Sequence, residues 1–115
     1  MPMARSRRRA LARAKGRLDA LDLYPRPVGL RFVRLLVVPW LFRLPWFRRF
    51  DGYALHGTIL LRGEPAEDDD LLCHELCHVW QMQHRPLAMP LSYLVTGYDR
   101  NPYEAEARAA VDASR

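Results

Sequence analysis

Cys73-His74-Glu75-Leu76-Cys77-His78-Val79-Trp80-Gln81 is the stretch around which the chain is organised. Leu72, Leu76 and Val79 recur at helical spacing, so the segment reads as an amphipathic helix. On a helix His74 and His78 stand at i and i+4, one imidazole above the other. Two imidazoles so placed suit adjacent corners of a tetrahedral Zn2+ site. Glu75 directly follows the first histidine, where a general base acting on water at the metal is needed. The pattern predicts a small zinc-dependent hydrolase of the metallopeptidase type.

The helix is expected over residues 68–84. Asp68, Asp69 and Asp70 supply a cap and first-turn anions, and Arg85-Pro86 supplies the stop. Zinc held by two histidines needs a third protein ligand and an open position for water. Glu104 and Glu106 are the candidates downstream, with Asp99, Asp112 and His84 behind them. Asn101 reads as an N-cap, Pro102 as the first helical residue, and Glu104 falls in the first turn. Glu104 and Glu106 then differ by about 200° around the axis, so only one can face the metal. Ala107 and Arg108 share the face of Glu104, and small Ala107 admits close packing against the motif helix. This favours Glu104. The competing role for Glu104 is a capping box with the Asn101 amide; for Glu106 it is a solvated surface charge. Gln81, one turn beyond His78, is expected to orient a ligand or line the cleft. Tyr98 or Tyr103 is a candidate hydrogen-bond donor to a developing oxyanion.

His74-Glu75-x-x-His78, Gln81, and Asn101-Pro102-Tyr103-Glu104-x-x-Ala107 together resemble the minimal zincin domains of bacteria, short gluzincin-like metallopeptidases. The likeness covers about residues 31–113. It implies zinc ligation by His74, His78 and Glu104, with Glu75 as catalytic base and a peptide or protein substrate. Many members carry Asp four residues after the ligand Glu; Arg108 stands there instead.

Outside the motif, 115 residues imply one domain. No window reaches the ~18 apolar residues of a membrane-spanning helix. Arg and Asp interrupt the chain after its basic start, which argues against a secretory signal. Two cysteines, both on the motif helix, imply no disulfide framework and fit a reducing compartment. The expected location is cytoplasmic, with the membrane periphery as an alternative. Residues 1–50 carry 13 Arg and Lys against 2 acids, and residues 51–115 carry 5 against 11. The basic arm is either simply solvated or contacts nucleic acid or an anionic membrane.

The expected architecture is α+β. A basic helix over residues 4–22 and a Pro-rich linker form a leader, 1–29. A zincin-like domain follows, 30–115, and this boundary predicts that it folds without residues 1–22. A small, mainly antiparallel sheet is expected from residues 31–38, 52–55 and 58–62, with a hairpin at His56-Gly57 in which Gly57 can take positive φ. Strand 58–62 is expected at the sheet edge beside the cleft. A short helix is expected from Pro45 to Phe50 and another over 87–96, closed by Gly97. Trp40, Phe42, Trp46, Phe47 and Phe50 are expected to pack under the sheet; the other reading is a membrane-surface patch with Arg43, Arg48 and Arg49 on its polar side. The reading that competes with an enzyme is a zinc-bound regulatory or interaction module without turnover.

Overall fold

The computed structural model describes residues 4–65 and 68–115. Its elements, in order, are α1 (Arg5–Asp19), β1 (Arg34–Val37), a 3-10 turn (Leu41–Arg43), β2 (Gly52–Leu55), β3 (Thr58–Leu61), α2 (Asp69–His84), α3 (Ala88–Thr96) and α4 (Pro102–Ala113). The class is α+β. The sheet is mixed, not mainly antiparallel: β1 pairs parallel with β3, β2 pairs antiparallel with β3, and the order is β1-β3-β2. Residues 38–51 cause this. They carry the chain past the middle position to the far edge, so β2 runs back and β3 inserts between its two predecessors. β3 is therefore central, and the edge strand beside the cleft is β2.

The hairpin forms where expected, joining Leu55 to Thr58. His56, not Gly57, carries the positive φ, at 49°. Gly57 is required for a different reason: a Cβ there would lie 2.8 Å from the Phe32 carbonyl oxygen. No helix forms over Trp46–Phe50, which is a run of turns. Arg62 donates to the carbonyls of Phe42, Arg48 and Phe50 and holds the segment in this shape. The aromatic set divides. Phe42 is buried, Phe47 and Phe50 pack edge-on against Tyr53, and Trp40 and Trp46 are exposed.

α2 starts where its sequence says. The Asp68 side chain accepts from the Leu71 amide, and Asp69 and Asp70 complement the helix dipole. It is the central helix, burying every position from Leu72 to Met82 except His74. The core does not respect a boundary at residue 29. Ala10, Leu11, Ala14 and Leu18 of α1 belong to one cluster with Leu72, Cys73, Leu76 and Trp80 of α2, Ile59 and Leu61 of β3, and Ala107 of α4. The Pro-rich linker is docked as well. The Trp80 indole donates to the Arg26 carbonyl at 2.8 Å, and Gln83 bonds both backbone groups of Gly29. Among the described residues no helix is long and apolar enough to cross a membrane.

Candidate metal centre

α2 presents His74 and His78 toward α4, with ring centroids 4.8 Å apart. α4 begins at Asn101, whose side chain accepts from the Tyr103 amide at 2.8 Å. That cap sets the helix phase, and Glu104 in the first turn points at the two imidazoles. Ala107, one turn later, is fully buried and lets α4 lie close to α2. His74 Nε2 lies 2.8 Å from Glu104 Oε1, and His78 Nε2 lies 2.9 Å from Glu104 Oε2. One ligand atom from each of the three residues lies within 4.8 Å of the others, so they form a possible metal-binding triad. Glu104 makes no capping box; the Asn101 amide bonds the Tyr98 carbonyl.

Gln81 decides how His78 presents itself. Its amide nitrogen donates to the Tyr103 carbonyl at 2.8 Å and to Glu106 Oε1 at 3.1 Å, both pure acceptors. Its amide oxygen therefore faces His78 Nδ1, at 2.8 Å, and can only accept. Nδ1 must carry the hydrogen. In a neutral imidazole Nε2 is then a bare lone pair facing a carboxylate oxygen. Such a contact requires a cation between the atoms, either a proton that makes the imidazolium or a metal ion. Two imidazole nitrogens and one carboxylate fit the donor set of a zinc site with an open position.

Glu106 lies outside the triad and is no free surface charge. Half-buried, it receives Gln81 and the hydroxyl of Tyr24, so the linker reaches the site through a chain Tyr24–Glu106–Gln81–His78. Tyr103 supports the centre through its carbonyl, and its hydroxyl makes no hydrogen bond among the described residues. Tyr98 and Tyr93 do reach the site. Their hydroxyls donate to Glu104, Tyr98 at 2.9 Å and Tyr93 at 3.2 Å. Tyr93 lay unmarked inside an apolar stretch, where nothing distinguishes a site tyrosine from a packing one. Arg108 Nε stands 3.8 Å from Glu104 and is largely exposed. Cys73 and Cys77 are buried and free, and both sit in the core.

Burial pushes the Glu104 carboxyl up, yet the hydrogen bonds from His74 and His78 override this and hold it far below the ordinary range. Burial lowers His78, but Glu104 and Glu75 outweigh it and raise that imidazole above 6.5. Burial likewise raises Tyr93 and Tyr98, helped by the Glu104 charge, so both remain donors.

Glu75 is buried beside the triad, and burial raises its carboxyl while the two imidazoles pull it down. β2 makes room for it. A Cβ on Gly52 would sit 3.0 Å from Glu75 Cγ and 3.1 Å from Leu61, so glycine permits this approach. Two clefts meet at Glu75. A polar one of about 590 Å3 includes His74, Glu104, Arg108 and Asp112. An apolar one of about 440 Å3 includes Trp46, Leu55, His78, Met89 and Tyr93.

No protein-family model, curated protein or solved structure matches this chain.

The arrangement therefore speaks through its own chemistry. It offers a donor triad in which His78 and Glu104 are buried and His74 half-buried, a buried carboxylate next to it, and an open groove running past both.

Proposed function

We propose that the chain is a zinc-dependent hydrolase of the HExxH metallopeptidase type, with His74, His78 and Glu104 as metal ligands and Glu75 as general base. The observation that carries this reading is the His78 lone pair, fixed by Gln81 and aimed at a buried carboxylate. Bound there, zinc would supply Lewis acidity toward a carbonyl oxygen and acidify a water. The protein's residues do the rest. Glu75, with its raised affinity for protons, accepts one from the attacking water and returns it to the departing amine. Burial keeps that carboxylate out of bulk solvent, where its basicity would fall. The Tyr93 and Tyr98 hydroxyls steady Glu104. The edge strand β2, next to Glu75, can take an extended peptide by strand addition.

The test is metal content and turnover together. Purified chain should hold about one zinc, as a three-ligand site implies, and His74→Ala/His78→Ala should hold none. Peptide hydrolysis should vanish on chelation and return with zinc. Zinc retained by the double variant removes the site. Zinc bound with no hydrolysis of any peptide in a diverse library leaves a zinc-bearing binding module instead.

A further inference from the structure

α3 turns most of its apolar side chains outward. Leu87, Leu91, Leu94 and Val95 occupy about 100° of its circumference at 100° per residue, and all four are exposed, Leu94 at 83% and Val95 at 87%. The inward side carries Met89, the one buried residue of the helix, together with polar groups. Ser92 and Thr96 hydroxyls accept from the Asn101 side chain, and Tyr93 reaches Glu104. A helix built only for this core would turn more apolar side chains inward than Met89 alone. Its fixed polar contacts hold the apolar face outward.

Trp46, 77% exposed, and Leu55 stand across the apolar cleft from Met89 and Pro90 of α3. Pro90 links that cleft to the outward face. The sequence around these side chains is basic, with Asp51 and Asp99 at its borders. Residues 23–50 contain six arginines and no acid, and residues 85–98 contain Arg85 and no acid. Arg43, Arg48, Arg49 and Arg85 form no ion pair among the described residues, whereas Arg7, Arg13 and Arg17 of α1 are paired with Glu64, Asp69 and Asp70. Unpaired cations beside outward Leu, Val and Trp are the combination that an anionic bilayer surface binds. A protein partner with an apolar groove would need no such arginine fringe.

We propose that the face formed by α3 and Trp46 docks on an anionic phospholipid surface, with Leu91, Leu94, Val95 and Trp46 entering the headgroup layer and Arg48, Arg49 and Arg85 meeting lipid phosphates. The docking needs no metal. The basic helix α1 is not its contact.

Flotation of the full chain with phosphatidylcholine vesicles, with and without about a third phosphatidylglycerol, tests this. The chain should float with the anionic vesicles and progressively detach as salt rises. Brominated acyl chains should quench tryptophan fluorescence in the wild type and much less in Trp46→Phe. Leu94→Glu/Val95→Glu should weaken binding at least about tenfold, and Arg48→Glu/Arg49→Glu should do so on anionic vesicles. Both altered helix residues are solvent-facing, so folding should persist by circular dichroism; Trp46→Glu, on the opposite lip, repeats the test without touching α3. Absence of flotation by the wild type overturns the proposal. So does binding unaffected by the α3 and Trp46 variants but lost in Arg8→Glu/Arg9→Glu. A wild-type dimer in light scattering that Leu94→Glu/Val95→Glu converts to monomer, without vesicle binding, assigns the face to a second copy and also overturns it.

Discussion

His78 holds a proton on Nδ1 for Gln81 and a lone pair on Nε2 for whatever cation sits before Glu104. In the metal-free protein a proton fills that place, which gives a pH dependence of known sign. The folded-state pKa of His78 is raised above 6.5, so its stabilising contribution is full below about 6.5 and is lost as pH rises through the raised value. Metal-free protein should therefore melt at lower temperature as pH is raised from about 6 to about 9, while zinc-loaded protein holds its Tm and zinc affinity increases over the same range. A parallel fall in both forms would mean that the triad does not couple protons to metal. Gln81→Leu should leave His78 free to choose either tautomer and lower zinc affinity by about 10–100-fold, measured by competition with a chromophoric chelator. Glu75→Gln separates base from ligand: zinc should stay, and turnover should drop on the order of 100- to 10,000-fold. Loss of zinc equal to that of the histidine variants would make Glu75 a ligand.

At the scale of elements, the crossing of α2 and α4 carries the site, and most of it was legible in sequence. Asp68, Asn101 and Pro102 fix where each helix starts, and a fixed start fixes which residues face one another. That Glu104 rather than Glu106 faces the two imidazoles was readable from the Asn101 cap and small Ala107. The role of Glu106 was not, because its partner Gln81 lies 25 residues away in sequence and Tyr24 lies 82 away. Strand positions were readable from β-branched and apolar runs, but their order was not: no local pattern says that residues 38–51 skip a place in the sheet. That single step moved β3 to the centre and gave the site edge to β2. Peptide ligands should consequently slow amide exchange at Tyr53 to Leu55, on β2, and leave Ile59 to Leu61 unchanged because those amides are already in the sheet. Glu104→Ala should reduce zinc affinity by orders of magnitude. Glu106→Ala should act only through Gln81, with the smaller loss expected of Gln81→Leu. Equal losses from both would mean that α4 as a whole, not one carboxylate, determines binding.

Across the whole molecule, the sequence suggests a detachable basic arm, and the packing opposes it. Composition is dominated by the arginines of α1, which face outward, while the residues that matter for folding are the four facing α2. The charges contribute little. Arg7–Glu64 and Arg13–Asp69 are exposed pairs of the kind that add roughly 0–1 kcal/mol each. Arg17 does more as a tie, since it reaches Asp70 on α2 and the Val111 carbonyl and Ser114 hydroxyl at the end of α4. The apolar contribution is larger. Leu11 and Leu18 are buried at 3% and 0% exposure, and each is worth about 1.5–3 kcal/mol in burial alone. Removing α1 also uncovers Leu72, Cys73 and Leu76 on the central helix, in a domain whose total stability is of the order of 5–15 kcal/mol. Deletion of residues 1–22 should therefore abolish cooperative unfolding and zinc binding together. Leu18→Ala should cost about 2–5 kcal/mol, and Arg8→Ser/Arg9→Ser should stay within about 0.5 kcal/mol of the wild type. Denaturant titration of the three variants ranks packing against charge. A truncated chain that unfolds cooperatively and keeps its zinc would show that β1, β3, α2 and α4 suffice as a core, and that α1 is an addition to it.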